Sequence, residues 1–237
     1  MKIGIFTYNF PHFKTQQYLL ELVVTDNKPE VIFAQDNKDL PFYQSKVRIL
    51  PRHEYLHDIQ SIARVLKIDL VNKDHDHPDT IDIIKNRELD LGIILGARIL
   101  KKDTINAFKI GILNIHPGLI PENRGLDNLK WAIIDNIKQG VTTHLIDEYI
   151  DKGLIIDRQP IHVYPDDTLV DVALRLHEKG QEMMIWAIDE IKNMRSFSTV
   201  SNEGKCNKSL QPELEATLLT RFEYYKQYYN VVTKDDR

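Results

Sequence analysis

Asn114 and His116 stand two residues apart at the end of an apolar run, and Pro117 and Pro121 follow closely. If residues 110–116 form a strand, its period of two projects both side chains from one face. The prolines, which lack an N–H for the ladder, stop the strand there. An amide and an imidazole then sit side by side at a strand end. The turn Asp151-Lys152-Gly153 begins 35 residues after His116 and can bring a carboxylate to the pair. The three together suit acyl transfer: the amide donates to a developing oxyanion, the imidazole moves or holds a proton, and the carboxylate fixes its state. Taken alone, Asn-x-His is a common pair, and a lone strand-end histidine is more often just a hydrogen-bonded polar residue.

Short apolar runs alternate with helical patterns along the chain, the signature of a doubly wound sheet. The patterns predict strands near 2–7, 30–34, 67–71, 90–95, 110–116, 141–147 and 154–163. Helices are predicted near 14–25, 54–65, 78–87, 101–108, 125–137 and 168–193. The first four strands read as parallel and buried, so the fold class is α/β with a mostly parallel sheet, a Rossmann variant. Helix 168–193 is the best-defined: Asp166, Asp167 or Thr168 can cap it, and Leu169, Val172, Ala173, Leu176 and Gly180 share a stripe that Met183, Met184, Ala187, Ile188 and Ile191 continue. The two methionines read as core filler. Residues 1–193 form one α/β domain, and 194–237 a polar linker and a short C-terminal helical extension. In that extension, 211–229 is a helix with Leu214, Leu218, Phe222 and Tyr225 on one face and further tyrosines at 224, 228 and 229. The preferred reading of this aromatic stripe is docking on the main domain; a homodimer contact or a ligand-stacking surface is the alternative.

A chain of 237 residues with 42% hydrophobic content can bury a full core. No charged-then-apolar leader precedes the first strand, and no apolar stretch approaches bilayer length, so a soluble, cytoplasmic protein with no membrane partner is expected. The single cysteine, Cys206, fits a reducing compartment and has no obvious His or Asp partner for nucleophilic work. The net charge of −4, with lysines spread along the chain, disfavours a nucleic-acid partner. In Asp74-His75-Asp76-His77-Pro78-Asp79 the His-x-His pair lacks a third ligand at a suitable spacing, and Asp76 or His77 before Pro78 more simply starts a helix; no metal is expected. No Gly-x-Gly-x-x-Gly or Walker loop is present.

The segment Asp90–Asp151 closely resembles the catalytic half of the N10-formyltetrahydrofolate-dependent formyltransferases. The resemblance rests on Gly96–Leu100 after a buried strand, Asn-x-His-Pro-Gly-Leu-x-Pro from Asn114, the pair Arg124-Gly125, Gly-Val-Thr-x-His from Gly140 to His144, and the Asp-x-Gly turn, in that order. It implies that Asn114, His116 and Asp151 form the catalytic triad, with Asp151 favouring imidazolium at His116 and accepting, through a water, a proton from the attacking nitrogen. It also implies N10-formyltetrahydrofolate as formyl donor, its pterin beneath the loop Leu95, Gly96, Ala97, Arg98, Ile99 and Leu100, with Ile146, Asp147 and Ile150 opposite. Gly96 would allow close backbone approach to a flat ring. His144 matches a family histidine and lines the site or makes a structural hydrogen bond.

Relatives that formylate glycinamide ribonucleotide carry a Gly-rich phosphate loop after the first strand. This chain has Thr7-Tyr8-Asn9-Phe10-Pro11-His12-Phe13, with no glycine. Methionyl-tRNA formyltransferases add a basic C-terminal domain, and the roughly 40 residues after 195 are neither large nor basic enough. The branch acting on nucleotide-linked amino sugars remains, with Tyr8, Phe10, His12, Arg124, Trp131 and His144 as substrate-binding residues. The expected acceptor is a 4-amino-4,6-dideoxyhexose destined for a surface polysaccharide such as O-antigen. Glycinamide ribonucleotide formylation is the alternative, and a folate- or sugar-nucleotide-binding protein without turnover is the non-enzymatic one.

Overall fold

An apolar strand, β1 (Ile3–Tyr8), opens the chain with its first five residues buried, and the sheet grows from it in both directions. The computed structural model describes residues 1–37, 45–52, 55–148, 153–193, 197–199 and 204–229. Helix α1 (Phe13–Val24) leads to β2 (Val31–Gln35), α2 (Ile59–Leu66), β3 (Asp69–Asn72), α3 (Pro78–Asn86) and β4 (Leu91–Ile94). Then come α4 (Lys102–Ile105), β5 (Gly111–His116), the two-residue β6 (Arg124–Gly125), α5 (Asn128–Ile134), β7 (Gly140–Leu145), β8 (Leu154–Pro160) and the long α6 (Leu169–Lys192). Strands β9 (Ser198–Thr199) and β10 (Cys206–Asn207) and helices α7 (Pro212–Glu215) and α8 (Leu218–Tyr229) complete the described chain.

The main sheet runs β3-β2-β1-β4-β5-β7-β8-β9. Strands β3 to β5 are parallel, whereas β7, β8 and β9 each pair antiparallel with the preceding neighbour. The chain winds outward from β1 to β3, then restarts at β4 on the other side. This reversal leaves a crevice at the carboxyl ends of β1 and β4, where ligands of such sheets bind. Both faces of the central strands are covered, which explains their nearly continuous apolar sequences. Ile3, Ile5, Ile93, Leu113 and Ile115 pack with α1, α5, α6 and α8 on one side; Phe6, Phe33, Ile112, Ile84 and Phe108 form the cluster on the other. The third strand departs from the expectation of burial: β3 is a sheet edge, with Asp69 and Asn72 exposed.

Helix α6 carries the expected stripe and cap. Thr168 and Asp171 make a reciprocal capping box, and Met183 and Met184 are fully inside. Gly180, in its middle, admits the Tyr18 hydroxyl: a Cβ there would stand 2.2 Å from that oxygen. The C-terminal helix differs from the single element expected at 211–229. It breaks at Ala216 and Thr217, where the Thr217 hydroxyl donates to the Leu214 carbonyl and the Thr217 carbonyl accepts from the Arg221 N–H of the next helix. Leu218, Phe222 and Tyr225 then dock on the main core, with the Tyr225 hydroxyl donating to Ile137 O at 2.7 Å, while Glu215 rather than Leu214 is the buried residue of α7. The polar stretch expected to be a linker contributes β9 to the main sheet and β10 to a pair with β6.

Candidate active site

Strand β5 projects Asn114 and His116 from the face that also carries Ile112, as a two-residue period requires. Across the antiparallel ladder, His144 lies directly opposite Asn114 and Thr142 opposite His116. The Asn114 Nδ2 sits 3.2 Å from His144 Nε2, so the amide donates one N–H and the buried imidazole accepts. The His116 and His144 rings meet edge-on, 6.4 Å between centroids. A row of amide and two imidazoles therefore runs across the carboxyl end of β5.

His116 is buried, and its Nε2 lies 2.7 Å from the Asn123 carbonyl and 3.2 Å from Asn128 Nδ2. A lone pair on Nε2 facing that carbonyl at such a distance would be repulsive, so Nε2 bears the proton and donates to Asn123 O. Asn128 Nδ2 then gives its hydrogen to the same carbonyl, 3.0 Å away. Proton transfer by His116 accordingly falls to Nδ1. The loop after β5 is tied just as tightly: the Thr142 hydroxyl donates to Gly118 O at 2.7 Å and accepts from Ile120 N at 3.1 Å. Gly118 must be a glycine, since a Cβ would stand 2.6 Å from Asn123 O and 2.9 Å from His116 Nε2. Asn123 and Asn128 were not marked by any spacing in the sequence, and Thr142 was marked only as the threonine of Gly-Val-Thr-x-His; the apposition of β5, β7 and the start of α5 reveals their roles.

At the switch point, Leu95 N and Gly96 N both donate to Phe6 O, at 3.0 and 3.1 Å, which pins the loop after β4 to β1. Tyr8 lies over Gly96, where a Cβ would meet its ring at 2.8 Å. Tyr8 stacks on Phe10 with centroids 5.2 Å apart and an interplanar angle of 8°, and His12 abuts both rings edge-on. Burial pushes the Tyr8 phenol up, and the Arg98 charge partly offsets this. Burial, helped by the Lys14 charge, pushes His12 down to about 4, so it is neutral at physiological pH. Its Nδ1 lies 2.8 Å from the Thr15 hydroxyl, which in turn is 2.5 Å from that of Thr7.

The residues expected around a pterin are brought together only in part. Ala97, Leu100 and Ile146 join one apolar cluster on the Asn114 face. Leu95 continues the alternation of β4 and packs in the opposite core, and Ile99 is 69% exposed. Ile146 and Asp147 line a cavity of about 710 Å³ together with Ile105, Phe108 and Gly153. Gly153, the glycine of the Asp-x-Gly turn, lies so close to the Leu145 carbonyl that a Cβ would overlap it. Ile150 and Asp151 lie outside the described residues.

Arg124 and Trp131 have other commitments. Arg124 is buried in β6, and its guanidinium donates to Gly204 O at 3.3 Å. The Trp131 indole N–H donates to Lys208 O at 2.7 Å, and Lys205 Nζ covers the ring at 4.1 Å. Both side chains fasten the 204–208 segment. Of the His-x-His stretch, His77 caps α3 by accepting from Asp79 N, Asp76 accepts from Lys101 N and the Thr104 hydroxyl, and buried His75 faces the carbonyls of Thr7 and Phe33. Among the described residues, no group of three or more His, Cys, Asp or Glu is arranged to hold a metal ion, and no helix is long and apolar enough to cross a membrane.

The family described as formyl transferase matches residues 25–188. The methionyl-tRNA formyltransferase of Thermodesulfovibrio yellowstonii is 27% identical over 195 residues, 81% of this chain and 60% of that protein. That of Clostridium perfringens is 32% identical over 128 residues, 53% of this chain and 41% of that protein. The chain thus spans less than two thirds of the length of these curated relatives. Among solved structures, an N-formyltransferase from Helicobacter canadensis in complex with folinic acid and dTDP-3-aminofucose aligns with a TM-score of 0.64 at 20% identity, over 96% of this chain and 82% of that one. A phosphoribosylglycinamide formyltransferase from Streptococcus pneumoniae gives 0.61 at 18% identity, over 81% and 98%. At these identities the structural likeness is one of fold.

Proposed function

The chain belongs to the formyl transferase family, and from that membership we propose that it transfers a formyl group from N10-formyltetrahydrofolate to the amine of a nucleotide-linked deoxyamino sugar, such as a dTDP-4-amino-4,6-dideoxyhexose. The observation that carries the reading is the row Asn114, His144 and His116 across the end of β5, beside the β1/β4 crevice.

N10-formyltetrahydrofolate supplies the formyl carbonyl. A C–N bond forms between the acceptor nitrogen and the formyl carbon, the bond from that carbon to N10 breaks, and the proton lost by the amine balances the one gained at N10. Asn114 holds one Nδ2 hydrogen on His144, which orients the amide so that the other can stabilise negative charge on the formyl oxygen. His116, with Nε2 fixed on Asn123 O, works through Nδ1. Asp151 is assigned the remaining task of accepting the amine proton through a water. Ala97, Leu100 and Ile146 offer the apolar surface that a pterin requires.

A sugar acceptor is supported by the stacked Tyr8, Phe10 and His12 rings where a phosphate-cradling glycine loop would otherwise stand. The Helicobacter canadensis relative, crystallised with folinic acid and dTDP-3-aminofucose, shares the fold over nearly the whole chain. Incubation with the folate donor and each candidate amine, read by mass spectrometry, tests the proposal. A dTDP-, UDP- or GDP-linked amino sugar should gain one formyl mass, with little or no reaction of glycinamide ribonucleotide or methionyl-tRNA. Efficient conversion of either of the latter alone would replace the acceptor while leaving formyl transfer in place.

A further inference from the structure

On the opposite face of β5 from Asn114, beside Ile115, lies a cavity of about 520 Å³. Its walls are largely aliphatic, with Leu50, Leu56, Leu129, Val141 and Leu176 among them. Into it the first turn of α1 places a single amine, Lys14, which donates a long hydrogen bond of 3.3 Å to Ile115 O and lies 5.3 Å from the Tyr18 ring centroid. Among the described residues, no carboxylate lies within ion-pair distance of this amine. Asp127, which also lines the cavity, accepts from Leu210 N at 2.8 Å and faces Lys130 instead.

Lys14 is partly buried; drawing an amine partly out of water without a counter-charge is costly, and a ligand anion would offset that cost. Burial lowers Lys14 to about 8, which still leaves it mostly protonated at neutral pH. Among the described residues nothing nearby neutralises it: the first turn of α1 contains no acidic residue and its leading N–H groups receive no side-chain cap, so their dipoles add to the positive potential. His12, at the N-cap of α1, is uncharged. The cavity borders the chemistry without including Asn114 or His116. Pro117 and Asn128 line it, and Asn128 shares with His116 the carbonyl of Asn123. A molecule anchored at Lys14 therefore extends naturally toward the end of β5.

Building on the acceptor reading above, we propose that Lys14 is a specificity-determining residue that grips a phosphoryl group of the acceptor in this cavity, with the acceptor's amine directed toward Asn114 and His116. A nucleotide-sugar diphosphate and a ribonucleotide phosphomonoester share this chemistry, and the experiment separates them. Affinities for dTDP, UDP, inorganic pyrophosphate and glycinamide ribonucleotide are measured by calorimetry on the parent chain, Lys14→Met and Lys14→Gln, with 5-formyltetrahydrofolate as the control ligand. Loss of a charge-assisted hydrogen bond of the usual strength predicts roughly 10- to 100-fold weaker phosphoryl binding in both variants. The folate control should be unchanged, and KM for the acceptor should rise more than kcat falls. Lys14→Met should be at least as thermostable as the parent, because it removes an amine that has no carboxylate partner among the described residues.

Equal dTDP and pyrophosphate affinity in parent and variants, or no phosphoryl binding by the parent in the millimolar range, would overturn the role of Lys14. If glycinamide ribonucleotide is the ligand bound by the parent and lost with Lys14→Met, the cavity assignment stands and the sugar acceptor falls. If the variants turn over a nucleotide sugar with unchanged KM, the acceptor stands and Lys14 is excluded.

Discussion

Lys14 is partly buried and Lys130 almost wholly so, yet among the described residues only Lys130 has a carboxylate partner. The Lys130 amine, almost wholly buried, donates to Glu215 Oε1 and to the Ser45 hydroxyl, each at 2.8 Å, and the Glu215 carboxylate also accepts from Ser45 Oγ and Lys46 N. That cluster joins α5, the loop at residues 45 and 46, and α7, so its charges satisfy one another and serve the fold. Lys14 has a carbonyl and an aromatic face for company, and an adjoining cavity. A cation with a closed set of partners is a staple; one left with an open set beside a cavity is where an anionic ligand is to be sought.

The largest expected effect falls on the staple. Lys130→Met leaves Glu215 buried with its cation gone, which should cost about 3–5 kcal/mol in urea unfolding at pH 7. The pH dependence sharpens the test. Burial favours the neutral acid at Glu215, but hydrogen bonds from Lys130, Ser45 and Lys46 N outweigh it and hold the group at about 2, against an ordinary value of 4.5. A carboxylate with a depressed value stabilises the fold above its unfolded value, and this contribution is lost as pH falls from about 4.5 to about 2. Without Lys130 the buried acid prefers its proton, so the variant's deficit relative to the parent should shrink between pH 7 and pH 4. A deficit that stays constant would mean the ion pair contributes nothing specific.

The catalytic strand end should behave in the opposite way, with a large loss of turnover and little change in stability. Asp151→Asn is expected to lower kcat at least ~100-fold, the scale of lost general acid–base help, while ligand affinities and the melting temperature stay close to those of the parent. Turnover within a few-fold of the parent would remove Asp151 from the mechanism and leave the chemistry to Asn114, His116 and His144.

A smaller effect probes the seam between the two ligand regions. The sequence set Gly96 in the donor site and Tyr8 in the acceptor site, but the ring lies directly over the glycine. Gly96→Ala must push Tyr8 aside, and about tenfold higher KM is expected for both substrates, since contacting residues typically couple by ~0.5–3 kcal/mol. Tyr8→Ala in the same chain should relieve the clash, so the double variant should bind the donor better than Gly96→Ala alone. Strictly additive effects on KM would separate the two loops.

Much of this was legible in the sequence because it rests on local rules. The two-residue spacing of Asn114 and His116, the prolines behind them, the Thr168 cap and the stripe of α6 each depend on a few neighbouring residues. What stayed hidden depends on distant pairings. Strands β6 and β10 have two residues each and no periodicity, so nothing marked Cys206 as the partner of Arg124. His116 acquires Asn123 and Asn128 only because the loop after β5 folds back under Gly118. Lys14 reads as an ordinary polar residue of an amphipathic helix until Ile115, 101 positions away, is placed beside it.

Trp131 offers the smallest effect and the cleanest contrast with Lys14. The sequence assigned it to the acceptor, whereas its indole donates to Lys208 O and its ring lies beneath Lys205. Trp131→Phe keeps an aromatic ring but deletes one hydrogen bond and part of the indole's bulk, a loss of at least about 1 kcal/mol. For a chain of this size that corresponds to a melting temperature lower by roughly 2–4 °C. Because the deleted bond fastens the 204–208 segment and no ligand, KM for the acceptor should match the parent within twofold. Lys14→Met should show the reverse, an unchanged or higher melting temperature with a raised KM. A raised KM in Trp131→Phe without loss of stability would return the tryptophan to the acceptor site and make Lys208 O a bystander.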